Sequence, residues 1–445
     1  MQLNNRSRMN LEKIFYVVIS TILVIVIVLI SYLFTPFGIE NNSNRKLATI
    51  YYVDHISTAH QKVIDIFNKK YEGQIKVETI NLSFEKFSTN ERKELLARYL
   101  RSKSSRIDIF SVDQIWVPRF ARWGVPIQNY LDSNAVSSLI PNALQTCYFK
   151  DTLLAVPLYI DIAVMFYRDD LLKKLPDYNS IVNELSKSIT WENFIKLRQR
   201  INSQNPFYTF QADDYEGLLC TFTELMAGQN KLIADKEGNI FINTPEGKKS
   251  LQLLVDLIYK YKVSPEEVTY LKENESFKFF AEHNGYFLRS WSSMFDDEVE
   301  YLTDEMRKNL EIAPVPHFEN TKPVSVYGGW NLMISKFSGK IPEVIKFVKF
   351  LMSEESQKIM FEEGGYLPTN LNVYNDSDFT SKHKEIIFFK NLFKTGVHRP
   401  FMEGYTNVSD VLSYYLNSSM KGEIKVEEAL RQAEKKILEK SIMVK

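Results

Sequence analysis

Cysteine is scarce in this chain: Cys147 and Cys220 are the two among 445 residues. Two thiols build neither a disulfide framework nor a four-thiolate zinc site. Whether they pair with each other stays open, with isolated buried thiols the simpler reading. Neither lies near the N-terminus, so no lipid-modified cysteine is expected there. Charge of one sign is also lacking, since Lys plus Arg and Asp plus Glu each total 55. A nucleic-acid binder would show an excess of positive charge. Histidine amounts to His55, His60, His283, His317, His383 and His398. His55 and His60 are too far apart for the i, i+4 spacing of a helical zinc site. G-x-S-x-G, a Walker-type loop and G-x-G-x-x-G are all absent. The pairs Asp169-Asp170, Asp213-Asp214 and Asp296-Asp297 put neighbouring carboxylates on different sides. With 55 acids a glycosidase is not excluded, because it needs only two carboxylates placed in space, but no pattern argues for one. No catalytic residue, metal or cofactor is therefore expected.

What is present begins with residues 14–34, IFYVVISTILVIVIVLISYLF, which carry no charge. A helix needs about 20 apolar residues to cross a bilayer, whereas a secretory signal has an apolar region of about 7–15 residues and a small-residue cleavage site. The segment ends in Ser31-Tyr32-Leu33-Phe34, without that site, so an uncleaved anchor is expected and a long signal peptide is the rival. Arg6, Arg8 and Lys13 precede it, which places the N-terminus in the cytoplasm and the rest outside.

Beyond a tether at Asn41-Asn42-Ser43-Asn44, LATIYYV (47–53), QIKVETI (74–80) and RIDIFSV (106–112) read as strands. Ile75, Val77 and Thr79 alternate with Lys76 and Glu78, as in a half-buried strand. Residues 58–71 and 90–103 between them read as helices, with Val63, Ile66 and Phe67 on one face and Leu95, Leu96 and Tyr99 on another. This alternation predicts a parallel sheet with right-handed crossovers. Thr244-Pro245-Glu246 and Ser264-Pro265-Glu266-Glu267 read as helix starts, the second as a capping box. Ser353 is expected to cap a helix that stops at Gly364-Gly365. Strands return near residues 285–289, 311–315 and after Gly329, and the last 40 or so residues are helical. Late strands need an existing sheet to join, which predicts two α/β lobes with the chain crossing between them and a cleft at their interface.

Several residues suit binding. Asp113 follows the third strand at its C-terminal edge, where α/β sheets bind ligands, and it equally suits an N-cap for the next helix. Asp161 stands alone in the apolar run AVPLYIDIAVMFY beside Tyr159, so it must be paired, hydrogen-bonded or at a cleft. Trp291 in FLRSWSSMF and Trp330 in VYGGWNLMIS suit stacking as well as core packing. Arg399 in VHRPF offers a fixed fork of donors.

Together DIFSVDQIWVPRFARWG, AVPLYIDIAVMFYRDDLL, NGYFLRSWSSM, IAPVPHF, VYGGWNLMIS and HRPFMEGYTNVSDVL resemble the extracellular solute-binding proteins that serve ABC sugar importers, near the trehalose/maltose-binding branch. The resemblance implies a two-lobed, periplasmic-binding-protein-like α/β fold with hinge crossovers, here preceded by one N-terminal transmembrane helix. It implies a sugar cleft holding Asp113, Tyr159, Asp161, Trp291, Gly329, Trp330 and Arg399. It adds Arg92, at a position where relatives carry a sugar-contacting arginine, and the loop around Asp54 to Thr58. Sugar hydroxyls suit charged hydrogen-bonding groups, and Gly328-Gly329 would let backbone approach the ligand while Trp330 stacks on it. The expected organisation is a cytoplasmic tail (1–13), an anchor (14–34), a tether (35–47), an N-terminal lobe (48–160 and 318–365) and a C-terminal lobe (161–317 and 366–445). The expected partners are a carbohydrate and ABC permease subunits, with a monomeric outer part and no nucleic acid. A tethered carbohydrate sensor acting through a partner is the alternative, followed by a carbohydrate-active enzyme.

Overall fold

The computed structural model describes residues 17–26, 47–84, 86–235, 237–295 and 301–444. The chain divides into two units, residues 1–47 and 48–445. In the first, residues 17–26 are helical, inside the expected anchor. The flanking residues 14–16 and 27–34 lie outside the described residues. Among the described residues no helix is long and apolar enough to cross a membrane.

The second unit starts as the hydrophobic pattern requires. Strand β1 (Ala48–Asp54), helix α1 (Thr58–Lys70), strand β2 (Ile75–Asn81), helix α2 (Thr89–Arg101) and strand β3 (Ile109–Asp113) follow one another. β1 lies between β2 and β3 and is parallel to both. Ser57 caps α1 by accepting from the His60 amide, and Ser88 with Glu91 forms a capping box on α2. The buried stripe of α2 differs from expectation. Tyr99 is exposed, and Arg92, Lys93, Leu96, Ala97 and Leu100 are buried. The stripe is rotated toward its polar start, where Arg92 finds the buried Asp54 carboxylate and Lys93 lies 3.8 Å from the exposed Asp410.

The sheet continues with β4 (Ala155–Arg168), β5 (Tyr208–Thr209), β6 (Phe287–Trp291), β7 (Leu310–Ala313), β8 (Ser325–Ile334) and β9 (Gly396–Val397). Its order is β2-β1-β3-β8-β4-β6-β5, with β9 on β8 and β7 on β4. Two long strands carry the molecule's two-lobed character. The late half of β8 pairs antiparallel with β3, while its early half pairs with β9. β4 pairs with β8 along residues 155–162 and then with β6 and β7 along 163–168. Both strands are buried throughout and join the β1–β3 group to the β5–β7 group.

β8 begins at Ser325, so both glycines lie inside the strand rather than before it. Its register against β4 shifts between Trp330 and Asn331. Gly329 has φ of 122°, and a Cβ there would sit 2.5 Å from the Tyr159 carbonyl oxygen. Only glycine combines that backbone angle with that approach. The capping box expected at Ser264 is not formed: Glu266–Tyr270 is a 3₁₀ turn without a side-chain cap, and the buried Ser264 hydroxyl has no partner among the described residues. Thr244 caps Pro245–Tyr259, and Ser353 caps Glu354–Gly364, which ends at Gly365 in the left-handed conformation.

Candidate functional site

The strand crossing sets expected site residues side by side. Asp113 at the end of β3 is in register with Trp330 of β8, which is in register with Tyr159 of β4. One step along, Gly328 faces Asp161, and Trp291 of β6 faces Ala163. Residues in register on adjacent strands share a face, so this row forms a continuous wall. Gly328 has a packing role, because a Cβ there would lie 2.7 Å from the Trp291 ring. The missing side chain seats that indole, and the expected approach of backbone to ligand at this position is not what the local packing requires.

Arg92 enters the wall from α2. Its guanidinium lies 4.0 Å from the Phe84 ring centroid and 4.1 Å from that of Trp330. Its Nη2 donates to Asp54 Oδ1 at 3.0 Å. Asp54, at the C-terminal end of β1, also accepts from the Tyr52 and Ser111 hydroxyls and the His55 amide. Arg92 is 3% exposed, yet its Nε and Nη1 have no hydrogen-bond partner among the described residues. A cavity of ≈ 10 Å³ beside it is lined by Asp54, Lys93, Ser111, Trp116 and Trp330. Trp330 is 8% exposed, packed edge-on to Phe84 and Trp116. It is thus a buried ring with a cation 4.1 Å from its centroid.

His60 and His55 flank Asp54. Ser57 Oγ meets His60 Nδ1 at 2.9 Å, and His60 Nε2 has no partner within hydrogen-bond distance. Burial lowers both imidazoles to about 3, with the Arg92 charge adding to it, so they are neutral at pH 7.

Arg399 gathers the second cluster. Its Nη2 donates to both oxygens of Asp113 at 2.8 and 3.1 Å, and its Nη1 donates to Glu216 Oε1 at 2.8 Å. Glu216 opens helix α3 (Glu216–Gly228) and is 4% exposed. It also accepts from Tyr405 Oη at 2.5 Å and from Ser409 Oγ, both on helix α4 (Tyr405–Met420). Burial opposes the Arg399 cation, but Asp113 and Glu216 outweigh it and hold its pKa above the ordinary arginine value. Asp113 also caps the turn after β3 through the Ile115 amide, which is the N-cap reading of its local role.

Asp161 has no basic partner among the described residues. Its Oδ1 accepts from the Ile162 amide at 3.0 Å, the Ser292 amide at 2.8 Å and the Ser292 hydroxyl, and its Oδ2 from Ser293 Oγ at 2.7 Å. Burial pushes its carboxyl above the ordinary aspartate value against these donors. Hydrogen bonding, rather than a salt bridge, is what allows an acid in that apolar strand.

Sequence reasoning did not single out Phe84, Glu216 or the two serines. Asp54 entered only through an unaligned loop, although it ends β1 as Asp113 ends β3, and the same edge rule would have marked it. Glu216 carries no local signal, since an acid at a helix start is common.

The family model of bacterial extracellular solute-binding proteins matches residues 52–358. A probable ABC transporter-binding protein of Deinococcus radiodurans is 27% identical over 339 residues, spanning 73% of this chain and 78% of that one. The arabinooligosaccharide-binding protein of Bacillus subtilis is 23% identical over 251 residues, 55% of each chain. Among solved structures, maltose-bound MalE3 of T. maritima superposes with a TM-score of 0.78 at 26% identity, covering 87% of this chain and 98% of that one. The fold of two α/β groups joined by crossing strands has the same architecture, and the family match covers more than half of the sequence. The chain belongs to the bacterial extracellular solute-binding protein family.

Proposed function

We propose that this protein captures an oligosaccharide between its two lobes and delivers it to an ABC importer. Residues 14–34 would act as an uncleaved anchor, with the cytoplasmic tail (1–13) inside and the binding unit outside. Residues 48–160 with 318–365 would form one lobe, and 161–317 with 366–445 the other.

The observation that carries this reading is Arg92. A buried arginine with two unpartnered nitrogens is rare, because each buried N–H without a partner costs free energy. Two aromatic rings, Phe84 and Trp330, pack about 4 Å from the guanidinium, and its Nε and Nη1 are the donors left to be satisfied. A sugar matches that demand, since its hydroxyl and ring oxygens are neutral acceptors. Asp161, Asp113, Tyr159, Trp291 and Arg399 would supply further polar and stacking contacts. The carbohydrate ligands named for the B. subtilis and T. maritima relatives agree with this class.

The cavity of ≈ 10 Å³ is at the lower limit for one water. An oligosaccharide therefore enters by parting of the lobes, with β4 and β8 as the bending strands. Titration with mono- and oligosaccharides, followed by calorimetry and tryptophan fluorescence, tests the proposal. A neutral oligosaccharide should bind and change the emission, whereas a panel without binding overturns the reading. N-terminal sequencing of protein from native membranes tests the anchor: a start at or near Met1 is expected, and a new terminus after Phe34 would make the segment a signal peptide.

A further inference from the structure

We infer that Glu216 is a positioning residue of the binding site, acting through Arg399 to set where that arginine's remaining donor points. This rests on the placement of Arg399 in the carbohydrate cleft. The guanidinium is held by two carboxylates on different elements: Asp113 takes Nη2 at the end of β3, and Glu216 takes Nη1 at the start of α3. Asp113 alone holds only one corner, leaving the plane free to swing about the Asp113–Nη2 contact. Glu216 fixes the second corner and hence the direction of Nε. That nitrogen is buried and has no partner among the described residues.

Glu216 suits this role because its own orientation is determined elsewhere. Oε1 is shared by Arg399 and Tyr405, and Oε2 is taken by Ser409. The helix N-terminus also favours its negative charge. Arg399 is its one salt-bridge partner among the described residues. The two donors from α4 keep the carboxylate from following Arg399 when the arginine moves, so the carboxylate acts as a fixed stop.

A double-mutant cycle on the full chain tests this, using the tightest oligosaccharide from the screen as probe. Glu216→Gln should weaken binding roughly tenfold, the scale of one charge-assisted hydrogen bond. In an Arg399→Ala background the same change should cost less than about twofold, because the route is already cut. Equal losses in both backgrounds, or no loss in the wild-type background, overturn the proposal. If Arg399→Ala binds like wild type, the placement of Arg399 in the cleft fails, and the positioning role fails with it. Should Glu216→Gln not fold, Ser409→Ala replaces it in the cycle, with a smaller loss that must likewise vanish without Arg399. A crystal structure of Glu216→Gln, or of Ser409→Ala, reads the geometry without any ligand. A displaced Arg399 guanidinium shows that the carboxylate sets the arginine's position and an unmoved one overturns the proposal, whereas a panel without saccharide binding overturns the cleft on which the role rests.

Discussion

Arg92 and Arg399 are both buried arginines that meet carboxylates, yet their surroundings are opposite in kind. Arg92 has one carboxylate, Asp54, and two aromatic neighbours, with Nε and Nη1 unpartnered among the described residues. Arg399 has two carboxylates and only Nε left over. Their pKa shifts follow suit: burial brings Arg92 below the ordinary arginine value with Asp54 only partly offsetting it, while Arg399 stays above. Rings compensate a cation less completely than a second carboxylate does, and they make no demand on its in-plane donors. The contrast teaches that Arg92 has two donors uncommitted within the protein, as the proposed saccharide site requires, whereas Arg399 is mainly committed to joining elements.

Removing each arginine should expose that difference. Arg399→Ala leaves Asp113 and Glu216 buried without their cation and should cost about 3–5 kcal/mol of stability by urea unfolding at pH 7. Arg399→Lys should not restore it, because an ammonium cannot reproduce the fork. Arg92→Ala should cost about 3 kcal/mol, the lower end for a broken buried pair, since Tyr52, Ser111 and the His55 amide still bond Asp54. Its saccharide binding should disappear. If both variants lose the same stability and keep the same affinity, the contrast is void.

Asp161 sharpens the comparison from the anionic side, as a buried carboxylate without a cation. Asp161→Ala should retain the fold and weaken saccharide binding ten- to a hundredfold, about 1.5–3 kcal/mol. Calorimetry alongside a thermal melt separates this from a structural effect: collapse of the melt with unchanged affinity in the folded fraction would make it a structural acid. The smallest expected effect concerns pH. His60 titrates at about 3 in the folded chain, below the unfolded value of roughly 6.5. The unfolded chain therefore binds the extra proton in that window. The neutral ring's stabilising contribution is complete above the unfolded value and falls away as pH drops toward the folded one. At pH 5 this amounts to about 2 kcal/mol relative to pH 7. His60→Gln should flatten the slope of stability between pH 7 and 5 by that amount, and an unchanged slope would mean that His60 is not the group responsible.

How much was readable beforehand varies residue by residue. Asp113, Tyr159 and Trp330 were marked by strand-edge position and motif, and the sheet sets them in one register row. Arg92 was marked only by resemblance, because a basic residue on the buried stripe of α2 breaks the hydrophobic pattern used to find that stripe. Trp330 was expected to lie open over a ligand. It is instead covered by Phe84, Trp116 and Arg92, which arrive from other elements. Its truncation should consequently cost stability on the scale of a core aromatic as well as affinity.

The order of strands and helices, the parallel start of the sheet and the helix caps at Thr244 and Ser353 were determined by the sequence itself. These depend on side-chain period and backbone hydrogen bonding within a few residues. Partner choice among charges was not. Glu216 and Arg399 stand 183 residues apart, and Asp161 and Ser292 stand 131 apart. Which donor meets which carboxylate was settled only when β4 and β8 crossed and carried them into one interior. There the cost of burying a charge makes the partner's exact position, rather than its residue type, the deciding quantity.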